Sequence, residues 1–140
     1  MSLLTNKSIV VIGGTTGLGL SAAKAFVAAG AKVVVVGRSE ASIHSAKDIL
    51  GENALAIAAD AILPETAVRA MESCIDQFGS FDGLYHVAGG SGRKMGDGPL
   101  HELSIEGWNK TFELNLTSLM LSHQAAVKKR IVLSNNSSVL

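Results

Sequence analysis

The glycine-rich turn near the start of the chain is the segment best suited to bind a charged group. Its glycines follow the spacing Gly13-x-x-x-Gly17-x-Gly19, and the residues between them include Thr15, Thr16 and Leu18. A helix that begins here presents unpaired backbone N–H groups and the positive end of its dipole, so it can hold an anion such as a pyrophosphate. Glycine is favoured because a Cβ atom would block the tight turn or the approach of the phosphate. We therefore expect Gly19→Val to fold but to lose the anion.

The segments on either side of the turn place it between two strands. The apolar run at residues 9–12 predicts a short buried strand, residues 20–26 predict a helix that ends at Gly30, and residues 32–36 predict a second strand. Together they form a β-α-β unit. The frame Gly17-x-Gly19-x-x-Ala22 also fits a dinucleotide fingerprint, but it begins farther from the first strand. No Lys follows the last glycine as in an ATP-binding P-loop, so a nucleoside triphosphatase is disfavoured.

The rest of the chain continues the alternation of strands and helices. Strands are predicted at residues 54–59, 81–87 and 131–134, and helices at residues 40–51, 64–78 and from about 104 to 130. Four apolar side chains have the spacing of one buried face of that last helix: Ile105, Trp108, Phe112 and Leu116. This order predicts an α/β fold, a doubly wound parallel Rossmann-like sheet that binds ligands beyond the carboxyl ends of its strands. With 140 residues, the sheet is expected to lack its C-terminal strands.

Composition and charge argue against several other classes of protein. The chain carries 12 basic and 12 acidic residues, so no charge imbalance marks a surface for nucleic acid or for an anionic membrane. The apolar runs are no longer than strands, and the first residues lack the basic leader of a secreted protein. Cys74 is the only cysteine and predicts a buried thiol, and no metal site is expected. We expect one nucleotide-binding domain, residues 1–140, in the cytoplasm.

Three segments in order along the chain match the motifs of one enzyme family. The segment from Ile12 to Gly19 corresponds to a Thr-Gly-x-x-x-Gly-x-Gly turn in which Ile12 replaces the threonine. Asp60 follows the third predicted strand, and Ala88 and Gly89 follow the fourth, where they match the last two residues of an Asn-Asn-Ala-Gly motif. On these residues the chain resembles the N-terminal part of a short-chain dehydrogenase/reductase. The resemblance implies that Asp60 touches adenine and that Ala88 and Gly89 lie beside the cofactor.

The same resemblance extends to the long helix and to the end of the chain. Asn115 matches the active-site asparagine of the family, which implies that it holds a water in a proton relay. Ser138 resembles the serine that polarises the substrate oxygen, although Ser137 also fits the spacing. The family's catalytic Tyr and Lys lie beyond the last residue of the sequence, and Tyr85, in a predicted strand, is no substitute.

These matches imply an oxidoreductase that transfers a hydride between a nicotinamide cofactor and a carbonyl or alcohol substrate. A dinucleotide-binding sensor or scaffold without catalysis is the alternative, because fold alone does not determine chemistry. The family also pairs its fourth and fifth helices across subunits, which implies a homo-oligomer, either a dimer or a tetramer.

The end of the second strand bears on the choice of cofactor. An NAD(H)-specific domain needs a carboxylate there to accept hydrogen bonds from the ribose 2′-OH, and this chain has Gly37 and Arg38 instead. The Arg38 guanidinium can pair with a 2′-phosphate, so NADP(H) is the preferred cofactor and NAD(H) is possible. His86, at the end of the fourth strand, is interpreted first as a structural histidine and second as a contact to the ribose or adenine.

Overall fold

Four parallel strands form the sheet in a computed structural model that describes residues 2–137, with side chains for residues 2–134. The strands are β1 (Ser8–Ile12), β2 (Lys32–Gly37), β3 (Ala54–Ala58) and β4 (Gly83–His86), in the order β3-β2-β1-β4. The register pairs Val10 of β1 with Val34 of β2 and Leu84 of β4. Both faces of β1 and of most of β2 are buried, which explains why their residues are mostly β-branched. The predicted Rossmann-like sheet is confirmed.

Helices connect the strands and lie on both faces of the sheet. They are α1 (Gly17–Ala28), α2 (Glu40–Leu50), α3 (Pro64–Phe78), α4 (Ile105–Phe112) and α5 (Ser118–Ser137), with a π-helical turn at Glu113–Thr117 between the last two. Ser39 caps α2 because its hydroxyl accepts the N–H of Ser42 at 3.4 Å, and α3 begins at Pro64 as predicted. No helix within residues 2–137 is long and apolar enough to cross a bilayer.

Two apolar cores form, one on each face of the sheet. On one face, Ala23 of α1 and Leu50 of α2 share a buried cluster with Val11. On the other face, Cys74 of α3 shares a cluster with Val10, and alanines of α5 pack against it. Adjacent residues of β1 therefore face opposite helical layers, as the two-residue period of a strand requires.

The predicted fifth strand at residues 131–134 is wrong. These residues continue α5, which runs to Ser137, and Ile131 and Val132 are each 54% exposed on it. No Gly or Pro follows Gly107 in the sequence, so the residue types that usually end a helix are missing. A parallel strand beside β4 would need the chain to turn back first. Within residues 2–137, β4 therefore has a neighbouring strand on one side only.

The predicted buried face of the long helix is also wrong. Ile105, Trp108, Phe112 and Leu116 are between 43% and 76% exposed, and the Trp108 and Phe112 rings pack against each other at 4.7 Å. An apolar face at helical spacing serves equally to pack against a sheet or against another molecule, so the pattern alone does not distinguish these. We call these four residues the apolar strip.

Asp82 holds the amino-terminal end of the sheet together. Its carboxylate accepts the Ser8 N–H at 2.9 Å and the Ser80 hydroxyl at 2.8 Å, and Lys7 Nζ lies 3.3 Å away. Burial would raise the pKa of Asp82, but these hydrogen bonds and the Lys7 charge lower it below 3.8 overall.

Burial, aided by the Asp82 charge, raises the pKa of Cys74 to about 12, so this buried thiol stays protonated and unreactive.

Candidate functional site

A cleft of about 800 Å³ opens at the carboxyl ends of the strands. The loops after all four strands contribute to it, because parallel strands bring their carboxyl ends to one edge of the sheet. Every predicted cofactor residue except Gly19 lines it: Gly13, Thr15, Thr16, Gly17, Leu18, Arg38, Asp60, Ala88 and Gly89. The volume lies in the range of small-molecule sites.

The turn between β1 and α1 needs glycine at two positions for two reasons. Gly13 has a φ of +86°, and a Cβ there would lie 2.6 Å from the backbone nitrogen of Ala88. Gly17 has a φ of +52°, and a Cβ there would meet no protein atom within 4 Å. Because Gly17 lines the cleft, its missing side chain leaves room for a bound group. The N–H groups of Gly13 and Gly14 both donate to the Val36 carbonyl, at 2.9 and 3.0 Å, which anchors the turn to β2.

The first turn of α1 is open toward an anion. Thr16 occupies the N-cap position, its side chain makes no capping hydrogen bond, and the first turn contains no acidic residue. The helix dipole and the N–H groups at this end favour negative charge. A phosphate group therefore fits the geometry and the electrostatics of this turn.

The space beside the Gly19 Cα differs from what the glycine spacing predicts. A Cβ there would overlap the carbonyl oxygen of Gly13 and lie 3.0 Å from the Cα of Gly14. Gly19 is buried and does not line the cleft, so protein backbone fills the space that the sequence assigns to a phosphate. The expectation that Gly19→Val folds normally is therefore wrong, because α1 packs directly against the turn at this glycine.

Two charged residues of opposite sign lie at the ends of β2 and β3. Arg38 is exposed on the cleft and forms no ion pair within the described part of the chain. Asp60 accepts the Ile62 N–H through its carboxylate at 3.2 Å, and its carbonyl accepts the Thr66 hydroxyl at 2.6 Å. These bonds fix the loop after β3, whereas the Arg38 charge is available to a ligand.

Asn115 lies in the π-helical turn, and backbone groups hold its side chain. Its Oδ1 accepts the Gly90 N–H at 3.1 Å, and its Nδ2 donates to the carbonyls of Gly90 and Thr111, the latter at 2.8 Å. A Cβ on Gly89 would lie 2.6 Å from Asn115 Oδ1, so the loop approaches this closely only with glycine there. The amide thus fixes the loop after β4, beside the cleft, from a turn type that is frequent at functional sites.

The structure does not place the predicted catalytic serines. Ser138 lies outside the described residues, and Ser137 is described only by its backbone at the end of α5. The strand predicted to precede both is helical, so the strand-to-serine spacing has no counterpart here. Both residues stay predictions.

Comparison with known proteins assigns this arrangement to a family. A family model described as short chain dehydrogenase matches residues 7–138. The chain belongs to the short-chain dehydrogenase family. It is 33% identical over 143 residues to 2,5-dichloro-2,5-cyclohexadiene-1,4-diol dehydrogenase LinX of Sphingobium indicum, covering 98% of this chain and 54% of LinX. It is 30% identical over 125 residues to 3-oxoacyl-[acyl-carrier-protein] reductase FabG of Vibrio cholerae, covering 89% of this chain and 50% of FabG.

A solved structure shows the same fold in the family. A crystal structure of a short chain dehydrogenase from Bacillus anthracis matches with a TM-score of 0.81 and 27% sequence identity, covering 90% of this chain and 50% of that one. The chain thus spans about half the length of the curated relatives it matches.

His86 joins β4 to α5. Its Nε2 donates to the Ala88 carbonyl at 3.0 Å, and since a carbonyl only accepts, Nε2 carries the proton. Its Nδ1 lies 2.8 Å from the hydroxyl oxygen of Ser122, which also lies 3.0 Å from the Leu119 carbonyl oxygen, and the hydroxyl of Ser118 lies 3.4 Å from Nε2. His86 does not line the cleft, which favours its structural interpretation over a contact to the cofactor.

Three serines contribute to the cleft or to the contacts of His86, although no sequence motif indicates them. Ser118 and Ser122 are buried and stand four residues apart, a spacing that puts them on one helix face and could have identified them as partners of a buried polar group. Ser42 lines the cleft from the first turn of α2, with its hydroxyl 3.1 Å from that of Thr15.

The pKa shifts of two groups predict that the stability of the domain falls in acid, in separate pH ranges. Burial lowers the pKa of His86 below 6.5, and the neighbouring His123 adds to this against the opposing hydrogen bond to Ala88. As the pH falls, His86 therefore binds its proton in the unfolded chain before it does so in the folded chain. The free energy of unfolding decreases as the pH falls from 6.5 toward the lower folded pKa. For Asp82, stability is present above 3.8 and is lost as the pH falls through its lowered folded pKa.

We therefore expect His86→Asn and Asp82→Asn to change different parts of the stability profile. Urea unfolding across pH 7.5 to 3 measures this. His86→Asn should flatten the decline just below pH 6.5. Asp82→Asn should flatten only the decline below about pH 4. Identical slopes in both variants and in the parent would contradict these assignments.

Proposed function

We propose that this short-chain dehydrogenase is an oxidoreductase that transfers a hydride between a nicotinamide dinucleotide and a carbonyl or alcohol substrate. The observation that carries the proposal is the cleft at the carboxyl ends of the strands, where an uncapped helix N-terminus adjoins the open space beside Gly17. The relatives named above are a dehydrogenase and a reductase, which supports catalysis over a sensor or scaffold. When bound, the dinucleotide supplies or accepts the hydride.

We assign the residues of the chain to binding and proton handling. Residues 13–18, with Gly19 beneath them, bind the pyrophosphate through backbone N–H groups, and Asp60 contacts the adenine. Ala88 and Gly89 border the cofactor from the loop after β4. Asn115 orders a water of the proton relay, and Ser138 polarises the substrate oxygen. These residues belong to a single nucleotide-binding domain comprising residues 1–140.

The preferred cofactor in this proposal is NADP(H). Arg38 stands on the cleft at the end of β2, has no ion-pair partner in the described part of the chain, and follows a glycine where an NAD(H)-binding carboxylate would stand. A guanidinium binds a phosphate through short, charge-assisted hydrogen bonds. NAD(H) lacks that phosphate and gains nothing from Arg38.

Arg38→Ala tests both the cofactor and its preference. We expect the variant to bind NADPH about 10- to 100-fold more weakly, because a hydrogen bond to a charged group contributes about 1.5–3 kcal/mol. NADH binding should change little. Titration calorimetry of the full-length protein measures both, and Arg69→Ala, on the exposed side of α3, is the matched control. Equal affinities of the parent for NADPH and NADH would refute the preference, and binding of neither would refute the function.

We further propose that the protein forms a homo-oligomer through the apolar strip. We also propose that it is located in the cytoplasm. The strip exposes large apolar side chains on a helix that the family pairs across subunits, and a second copy would bury them. The free, buried thiol of Cys74 is consistent with a reducing compartment. Analytical ultracentrifugation of the parent and of Trp108→Glu tests the interface, since a charge in the strip should shift the distribution toward monomer.

A further inference from the structure

We propose that Thr15, held in place by Ser42, is a second determinant of cofactor choice, because its side chain leaves no room for a side chain at position 37, where an NAD(H)-binding carboxylate would stand. The inference rests on the proposed function for the identity of the ligand, but its packing can be tested without any ligand. It predicts that the preference for NADP(H) depends on more than the presence of Arg38.

Position 37 requires glycine because of the adjacent Thr15 side chain and not because of the backbone conformation. It is the last residue of β2, and its φ lies outside the left-handed region, so the backbone would accept any side chain. A Cβ on Gly37 would overlap the Oγ1 of Thr15 and lie 2.7 Å from its Cγ2 and 2.9 Å from its Cβ. All three of these atoms belong to the single side chain of Thr15.

Thr15 cannot easily move out of the way. It is 5% exposed, and the turn that carries it is tied to β2 by the hydrogen bonds from Gly13 and Gly14 to Val36. Its hydroxyl lies 3.1 Å from that of Ser42. Displacing Thr15 would therefore break the turn or leave a buried hydroxyl without its partner.

The hydrogen bonds of Thr15 and Ser42 also hold the chain segment that carries Arg38. The Ser42 hydroxyl donates to the Ser39 carbonyl at 2.8 Å, so its oxygen is left to accept the proton of Thr15. Thr15, Ser42 and Ser39 thus form a chain of donors that fixes the start of α2. Arg38 stands between Gly37 and Ser39, so the same chain that excludes a carboxylate from position 37 also holds the segment that carries the guanidinium.

Thermal unfolding of the ligand-free, full-length protein tests the packing. We expect Gly37→Ala to lower Tm by on the order of 5 °C, because overpacking a filled site is destabilising. In a Thr15→Gly background the same substitution should lower Tm only slightly. Such non-additivity is the signature of direct contact between the two positions. Gly83→Ala is the matched control: it is also a strand glycine, but its Cβ would meet only Ile9, at 3.8 Å, so Tm should not fall. An equal loss in both backgrounds would overturn the proposal.

Binding of NADPH and NADH tests the consequence. We expect Gly37→Asp alone to lose at least about tenfold in affinity for both nucleotides together with a lowered Tm, since the carboxylate has no room. Thr15→Gly/Gly37→Asp should recover Tm and bind NADH more tightly than NADPH. If Gly37→Asp alone keeps the parental Tm and gains NADH affinity, or if the double variant stays as unstable as Gly37→Asp, the proposal is overturned. A parent that binds both nucleotides equally would instead refute the Arg38 preference, while the unfolding cycle still decides the packing.

Discussion

Gly19→Ala is expected to lose stable folding, whereas Gly17→Ala is expected to fold and to lose dinucleotide binding. At Gly19 the new Cβ overlaps the Gly13 carbonyl, and Gly13 cannot retreat because its N–H is bonded to Val36 and its own Cα faces Ala88. We expect a loss of at least about 3 kcal/mol, a large part of the stability of an ordinary domain. Thermal unfolding by circular dichroism measures it.

The Gly17→Ala variant distinguishes the cost of backbone strain from the loss of dinucleotide binding. An alanine at a φ of +52° costs about 1–2 kcal/mol, and its Cβ meets no protein atom, so the domain should fold. The methyl group enters the space proposed for the phosphate, and we expect NADPH affinity to fall at least about tenfold, as displaced charge-assisted hydrogen bonds imply. Gly79→Ala is the control, since it has a φ of +84°, no neighbour within 4 Å and a place outside the cleft. Normal NADPH binding by folded Gly17→Ala would refute the phosphate site.

Asn115→Asp is expected to be more harmful than Asn115→Ala, although aspartate is the closer match in shape. The Asn115 amide donates to two carbonyls, those of Gly90 and Thr111, and an aspartate would place a charged oxygen against both. Alanine only leaves these exposed groups to water. We expect Asn115→Ala to lower the rate of hydride transfer by on the order of 10² or more, the lower range of general acid–base contributions, and Asn115→Asp to lower Tm as well.

The measurements are kcat with NADPH and a carbonyl substrate, Tm, and hydrogen exchange of the loop at residues 89–92. Asn109→Ala is the matched control, because Asn109 is exposed on the adjoining helix α4 and does not line the cleft. If Asn115→Ala and Asn109→Ala behave alike in rate and in exchange, Asn115 has neither a catalytic nor a positioning role. If only the exchange changes, Asn115 positions the loop without acting in the proton relay.

The sequence by itself determined the order of the first elements and the location of the cleft. β-Branched runs, a glycine turn and capping residues act over a few neighbouring residues, so the strand, turn and helix pattern from β1 to α3 can be predicted from local rules. Once strands alternate with helices, chirality places all strand ends at one edge. The cleft residues from Gly13 to Arg38 and at Asp60, Ala88 and Gly89 followed from that geometry together with the resemblance to the family.

Only the tertiary structure decided which side chains meet across elements. Gly19 lies against the Gly13 carbonyl, and Gly37 lies against the Thr15 side chain. His86 contacts two serines of α5. No local sequence pattern gives the distances between these partners. The apolar strip and residues 131–134 show the same limit, because apolar spacing tells which residues avoid water and not what covers them. Helix and strand compete for a short apolar run such as Ile131-Val132-Leu133. With no Gly or Pro to stop α5, the helix already packed on α3 continues through it.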